Sequence, residues 1–365
     1  MKINYKPRYY FTNFEEEYYK HGCFFMADNK PSLVTLKPTL NCVANCKHCS
    51  RRNKKFDQNR EFTLKEYDDL FTDFKKNGVK QVCISGGEPL IYKDIVKLVN
   101  MIVRKGMNVT INTNGWLLTE NLFDQLMKAG IAGINLSIDS PYADVHNRLR
   151  GLNGLFEKAI ENIKRCRKKN KKFILNLRII LSKYNYQDIC KMIELSKNID
   201  ADILSIDMIE DDCDDKSFLL NSAQIKEFKS SCTKDISVCI NKLKLKTELE
   251  SFNIKQLNNI FNIKFNTIEN YENGIYWPNE IIKKKCAIPN SFMIVEGDGS
   301  VLPCNAVEYN RKFIVGNLFE NNVNSIWNSK KMILFRKNKM NWCRKCPMNM
   351  SFMFIFNDRE IKRNI

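Results

Sequence analysis

The sequence predicts an α/β protein built on a parallel sheet, and three observations carry that prediction. Short runs rich in Val, Ile and Leu recur from residue 32 to about 210. Each is followed by an amphipathic segment of helical period, and Asn77-Gly78, Gly106 and Gly130 stand where those helices should stop. Strict alternation of strand and helix implies six βα units around a parallel sheet.

Taken in order, the strands are expected at Ser32–Lys37, Gln81–Ser85, Asn108–Thr113, Gly133–Ile138, Phe173–Leu181 and Asp202–Met208. Several read as apolar almost throughout, the pattern of strands covered on both faces. Helices are expected at Leu64–Lys76, Lys93–Lys105, Glu120–Lys128, Phe156–Lys169 and Tyr186–Lys197. In such a sheet the loops after the strands gather on one rim, where a site forms. Cys42–Cys49 follows the first strand and Gly86–Pro89 the second. Thr113-Asn114-Gly115 follows the third and Asp139-Ser140-Pro141 the fourth, so the unusual residues share that rim.

Beyond residue 210 the alternation stops. We expect an N-terminal extension over 1–31, a core over 32–210, a charged and mostly helical connector over 211–285, a cysteine-bearing unit over 286–347 and a tail over 348–365. The cysteine-bearing unit pairs the strand-like Ser291–Val295 and Val301–Cys304 across Gly297-Asp298-Gly299.

Charge and cysteine usage narrow the class. Lys and Arg number 59 against 41 Asp and Glu, a net charge of +18, which admits a nucleic-acid or anionic partner. The densest basic run, Lys164–Lys172, has no interleaved aromatics for base stacking, which argues against nucleic acid. No stretch approaches the ~20 apolar residues of a membrane helix, and Met1–Tyr10 lacks the apolar core of an export signal. The expectation is a cytoplasmic enzyme with no membrane partner. Fourteen cysteines in a reducing compartment point to metal or catalysis rather than disulfides.

Cys42-Val-Ala-Asn-Cys46-Lys-His-Cys49 places three thiols within eight residues. A cubane cluster takes four cysteines, so three would leave one iron open; zinc completed by His48 or a distant ligand is the alternative on this triplet alone. Gly86-Gly87-Glu88-Pro89 then follows the next strand. In that order and place, the two motifs resemble the radical SAM superfamily. The resemblance implies a partial (βα)6, TIM-like barrel, and a [4Fe–4S] cluster held by Cys42, Cys46 and Cys49. It also implies that S-adenosylmethionine, bound at the open iron, is cleaved to a 5′-deoxyadenosyl radical that abstracts a substrate hydrogen. Flavodoxin or ferredoxin would be the electron donor.

The same resemblance assigns cofactor contacts. Gly86 and Gly87 would admit a close ligand; Glu88, next to Pro89, would hold the methionine ammonium. Asn114, Ser137 and Asp139 lie at strand ends used for ribose and methionine, and alternation puts Ser137 and Asp139 on one face. His146-Asn-Arg148-Leu-Arg150-Gly151 resembles the family's HDxxRG segment, in which Arg150 would pair with the methionine carboxylate.

Cys286, Cys304, Cys343 and Cys346 form a second set, and Gly299–Cys304 resembles the signature of SPASM domains. Pro347–Phe356 contains no cysteine. The better match is therefore the shorter twitch type, with four ligands and one auxiliary [4Fe–4S] cluster; four thiolates would also suit zinc.

An auxiliary cluster suits oxidation or cross-linking of a small polar molecule or a peptide. The alternative is redox-neutral epimerisation, with Cys213 donating hydrogen. Its acidic neighbours, Glu210-Asp-Asp-Cys213-Asp-Asp215, would keep it a thiol. About thirty residues precede the first strand, few for a leader-peptide domain, which lowers the weight of a ribosomal peptide. A basic, metal-stabilised nucleic-acid-binding protein is the non-enzyme alternative, and Gly86–Glu88 argues against it.

Overall fold

The computed structural model describes residues 30–49, 60–208, 216–242, 246–247, 288–308, 310–338 and 354–356. Cys213, Cys286, Cys343 and Cys346 lie outside them, as do most of the expected N-terminal extension, connector and tail.

The expected alternation is present. Strands β1 (Leu33–Thr39), β2 (Gln81–Gly86), β3 (Asn108–Thr113), β4 (Gly133–Ser137), β5 (Ile174–Leu181) and β6 (Ile203–Met208) pair in sequence order, each parallel to the next. Helices α1 (Leu64–Lys76), α2 (Ile95–Arg104), α3 (Glu120–Ala129), α5 (Leu155–Lys169) and α6 (Ile189–Asn198) form the crossovers. One helix was not anticipated: α4 (Ala143–Arg150), inserted between β4 and α5 and ended by Gly151 at φ +62°. Thr63 starts α1 as a capping box with Glu66, and Gly130 closes α3 in the left-handed region. The fold is thus an α/β partial barrel.

The strands are not apolar on both faces. Val34 and Leu36, Val82 and Ile84, Val109 and Ile111, Ile134 and Leu136, Leu175 and Leu177, and Leu204 and Ile206 pack outward into one core with the helices, with Phe123 and Phe173 ring to ring at 5.1 Å. Each such side chain contributes about 1.5–3 kcal/mol of burial. The residues between them are polar: Thr35 and Lys37, Cys83 and Ser85, Thr110 and Asn112, Asn135 and Ser137, Asn176 and Arg178, Ser205 and Asp207. Successive strand residues point to opposite faces, so these line the inner wall.

The sheet does not stop at β6 or at β1. Strand β8 (Phe292–Glu296) joins β1 in parallel, and β9 (Ser300–Leu302) and β10 (Gly316–Asn317) continue antiparallel. At the other edge β11 (Phe354–Phe356) lies antiparallel to β6 and to β7 (Lys246–Thr247). One eleven-stranded sheet results. The segments expected as a separate cysteine-bearing unit and a tail therefore supply strands to both edges of the barrel sheet. The described part of the connector is helical apart from β7, with α7 (Ser222–Glu227) and α8 (Thr233–Lys242).

The basic run at 164–172 is largely paired on the surface. Arg165 meets Glu161, Lys169 meets Asp124 and Lys171 meets Asp200, while buried Arg167 meets Asp202. Among the described residues, no helix is long and apolar enough to cross a membrane.

Candidate functional site

The cysteine loop leaves the C-terminal end of β1 and is pinned from two sides by backbone hydrogen bonds. Gly87 N–H donates to Thr39 O (3.0 Å) and Glu88 N–H to Asn41 O (2.8 Å). Opposite, Asn45 N–H donates to Arg150 O (3.0 Å) and Lys47 N–H to Leu149 O (2.9 Å). Such close approach excludes side chains. A Cβ on Gly87 would lie 2.0 Å from Asn41 O, one on Gly86 2.2 Å from Thr39 O, and one on Gly151 2.4 Å from Asn45 O. Within the chain itself, Gly86 admits the end of β1 and Gly87 the start of the cysteine loop.

Glu88 likewise does work within the protein. Its Oε1 accepts from Leu90 N–H (3.1 Å) and the Thr113 hydroxyl (2.8 Å), and its Oε2 from Asn114 N–H (2.8 Å). The carboxyl ties the end of β2 to the end of β3. Burial pushes it up to about 7, against the pull of the donors from Asn114, Thr113 and Leu90. Pro89 opens the short 3-10 turn that Glu88 caps. Asn114 then turns its Nδ2 to Cys42 Sγ at 4.0 Å.

A second link starts at β4. Arg150, at the end of α4, grips Asp139 with two prongs, Nε to Oδ2 at 2.5 Å and Nη2 to Oδ1 at 2.8 Å. Its Nη1 faces Cys46 Sγ at 4.0 Å. Arg150 thus makes a bidentate pair with Asp139 and keeps its third nitrogen toward the loop. Burial would raise Asp139, but the Arg150 guanidinium outweighs it and holds the acid well below its usual range. The Cys46 thiol is pushed up to about 11 by burial, with Arg150 pulling the other way. His48, which a zinc site would recruit as a ligand, instead presents Nε2 to Asp139 Oδ2 at 3.7 Å. Burial pushes it down to about 4.

Two residues outside the expected set complete the anchoring. His146 Nδ1 accepts from Asp139 N–H (3.1 Å), and Asn185 Nδ2 donates to Asp139 O (2.7 Å). Ser137 stays on the inner wall, in register with Arg178. The structure therefore gathers Cys42, Cys46, Cys49, Glu88, Asn114, Asp139 and Arg150 at one rim, while Ser137 stands apart on the wall. Cys304, the one described cysteine of the C-terminal set, is buried before the turn Asn305–Val307.

The Cys46 thiol feels both Cys42 and Cys49, so the three share one space. A cubane would take such thiolates at its separate corners.

The inner wall carries a continuous hydrogen-bond chain that crosses five strands. Cys83 Sγ donates to Asn112 Oδ1 (3.4 Å), Asn135 Nδ2 to the same oxygen (2.7 Å), Asn176 Nδ2 to Asn135 Oδ1 (3.1 Å) and Ser205 Oγ to Asn176 Oδ1 (2.8 Å). Above it Arg178 pairs with Asp207 through Nε (2.9 Å) and Nη2 (2.5 Å). At the β1 edge buried Lys37 pairs with Glu308 and lies 3.7 Å from Glu296. None of these was singled out from the sequence. The signal was there: Val-Cys-Ile-Ser, Val-Thr-Ile-Asn, Ile-Asn-Leu-Ser, Leu-Asn-Leu-Arg and Leu-Ser-Ile-Asp share one period-2 pattern.

Comparison with known proteins agrees with this geometry. The family model for the radical SAM superfamily matches residues 36–196, and the model for the SPASM iron-sulfur cluster-binding domain matches 286–347. The chain belongs to the radical SAM superfamily. Within it, the chain is a radical SAM enzyme with a SPASM-type auxiliary-cluster domain, and its cofactors are [4Fe–4S] clusters and S-adenosylmethionine.

An AdoMet-dependent heme synthase of Methanosarcina barkeri is 32% identical over 173 residues, 47% of this chain and 49% of that protein. The Fe-coproporphyrin III synthase of the same organism is 29% identical over 175 residues, 48% and 43% of the two chains. This chain thus spans about half the length of the curated relatives it matches. Among solved structures, Streptococcus suis SuiB bound to the precursor peptide SuiA has a TM-score of 0.60 at 18% identity, covering 88% of this chain and 69% of that one. Native anSMEcpe with bound AdoMet and Cp18Cys peptide has a TM-score of 0.61 at 16% identity, covering 88% and 89%. Both likenesses concern the fold.

Proposed function

We propose that this enzyme oxidises or cross-links a polar, hydrogen-bonding substrate, a small molecule or a peptide, held against the inner wall of the barrel. One observation carries the reading: the inward positions named above are polar apart from the Cys83 thiol, and Ser85, Asn112, Ser137, Arg178 and Asp207 are only half-buried. A broad apolar ring laid on that wall would bury amides and an ion pair without new partners, at about 1–3 kcal/mol for each polar group stranded. A substrate bearing its own donors and acceptors meets no such cost. That favours a substrate unlike the products named for the curated relatives, and the peptides bound in the two solved structures of similar fold support a peptide as one such substrate.

When bound to the loop of Cys42, Cys46 and Cys49, the cluster and S-adenosylmethionine supply the 5′-deoxyadenosyl radical that takes a substrate hydrogen. This chain's residues do the rest. The cysteine loop is held rigid by Gly87, Glu88, Leu149 and Arg150. We assign cofactor contacts to Asn114 at the end of β3 and, from the inner wall at the end of β4, to Ser137. Arg178 and Asp207 present charge to the substrate. We assign the auxiliary cluster to Cys286, Cys304, Cys343 and Cys346, and electron supply to a flavodoxin or ferredoxin.

The test is anaerobic reconstitution, addition of dithionite and measurement of 5′-deoxyadenosine, with iron and sulfide counts on wild type and the Cys42/Cys46/Cys49→Ala variant. The expected result is 5′-deoxyadenosine from wild type only, with about four irons retained by the variant. A filled loop cluster that forms none overturns the reading. Polar peptides and aminated sugars should raise the yield, and coproporphyrin should not.

Epimerisation with Cys213 as hydrogen donor is a second reading, favoured by the acidic run Glu210–Asp215 around that thiol. It requires one solvent deuterium in the product and loss of turnover in Cys213→Ala.

A further inference from the structure

We infer that the Asp139–Arg150 pair is a tuning and positioning device for a single thiolate, that of Cys46, and that its two members shift the reduction potential of the loop cluster in opposite directions. The inference rests on the reading that Cys42, Cys46 and Cys49 hold the cluster.

The geometry separates Cys46 from Cys42. Cys42 meets the neutral amide of Asn114, whereas Cys46 meets a guanidinium, each at 4.0 Å. Arg150 is buried, so water screens its charge weakly and its effect on a neighbouring sulfur is large. Its position is not its own to choose. Two of its nitrogens are committed to Asp139, which leaves Nη1 as the nitrogen turned to sulfur.

Asp139 is in turn immobilised from three elements. His146 of α4 receives its N–H, Asn185 after β5 donates to its carbonyl, and the Ile180 N–H of β5 donates to Oδ1 at 3.3 Å. The carboxylate therefore sets where the cation stands, and the cation sets the field at one sulfur. Donors and charges around a cluster's sulfurs are among the levers by which a protein adjusts its potential.

The signs follow from charge alone. Reduction adds an electron, which a cation beside the thiolate stabilises and an anion opposes. Arg150 raises the potential, and Asp139, which offsets part of that cation's charge, lowers it. Arg150→Gln should make the cluster harder to reduce, Asp139→Asn easier, and Arg150→Lys, which keeps the charge without the fork, should stay nearer wild type.

The measurement is an EPR-monitored potentiometric titration of the reconstituted full-length protein without substrate, with the signal of the Cys42/Cys46/Cys49→Ala variant subtracted. Opposite displacements of the Gln and Asn variants support the inference. Displacement in the same direction, or none, overturns it, because a purely structural clamp gives one of those results. Iron content is counted for each variant. If Arg150→Gln fails to load, Asp139→Asn alone decides: a shift to easier reduction supports the inference, and no shift or the reverse overturns it. Failure of the underlying reading looks different, since wild type and the triple cysteine variant would then hold equal iron.

Discussion

Gly87 and Gly151 face the cysteine loop from opposite sides, each against a carbonyl oxygen too near for any side chain. The conflicting atoms are backbone oxygens, Asn41 O already accepting from Glu88 N–H, and Gly151 also sits at φ +62°, a conformation L-residues rarely adopt. Gly87→Ala is therefore expected to cost at least about 3 kcal/mol and to reduce iron loading together with stability. Denaturant unfolding of the apo protein, with iron counts after reconstitution, checks both. Glu88 yields a prediction about pH. Its carboxyl is raised from 4.5 to about 7 by burial, so the folded state prefers it protonated. Its contribution to stability is complete below about pH 4.5 and is lost as pH rises through 7. The change is at most on the order of 3 kcal/mol. Glu88→Gln should flatten the fall of apo-protein Tm between about pH 4.5 and 7, and an unchanged slope would refute the assignment.

At the scale of the element, each strand serves two environments through its pleat. The outward residues build the helix-packed core, and the inward residues carry a chain of amides from β2 to β6. Asn135 is its hinge, donating to Asn112 and accepting from Asn176. Asn135→Leu leaves both neighbours short of a partner in a buried layer, an expected loss of about 2–4 kcal/mol read from urea unfolding. The strands themselves were legible in the sequence to within a residue or two, because β-branched residues and stop signals mark them. Their inward faces were not read, although the alternation is visible in each strand, because a run of Val, Ile and Leu reads as wholly apolar when its short polar interruptions are passed over. Helix α4 escaped for another reason: at eight residues with three of them charged, Ala143–Arg150 has too short an apolar stripe to announce itself.

Across the whole molecule, the radical SAM core and the segment that bears Cys304 are joined by a buried ion cluster as well as by the β1–β8 ladder. Lys37 of β1 reaches Glu308, four residues beyond Cys304, and Glu296 of β8; Arg311 approaches Glu296 at 3.4 Å. Lys37→Met takes from Glu308 its cation and leaves Glu296 with Arg311, and should destabilise the protein by about 3 kcal/mol. The double variant Lys37→Met/Glu308→Gln should recover part of that loss in a double-mutant cycle. Hydrogen exchange of the β8 amides should accelerate in the single variant more than exchange in β3, which lies two strands from the break.

The sequence by itself determined the class. Three cysteines after the first strand and Gly-Gly-Glu-Pro after the second are local patterns, and loops at the carboxyl ends of parallel strands share a rim whatever the side chains do elsewhere. The tertiary structure decided what those residues touch. Gly87 and Gly151 make room for the loop's own backbone and Gly86 for the end of β1, Glu88 ties two strands together, and the Arg150 fork closes on Asp139. Contacts of this kind join positions as distant as Cys46 and Arg150, and their distances depend on how sheet and helix pack. The same holds for Lys37 and Glu308, which no motif connects and which meet only because β8 pairs with β1.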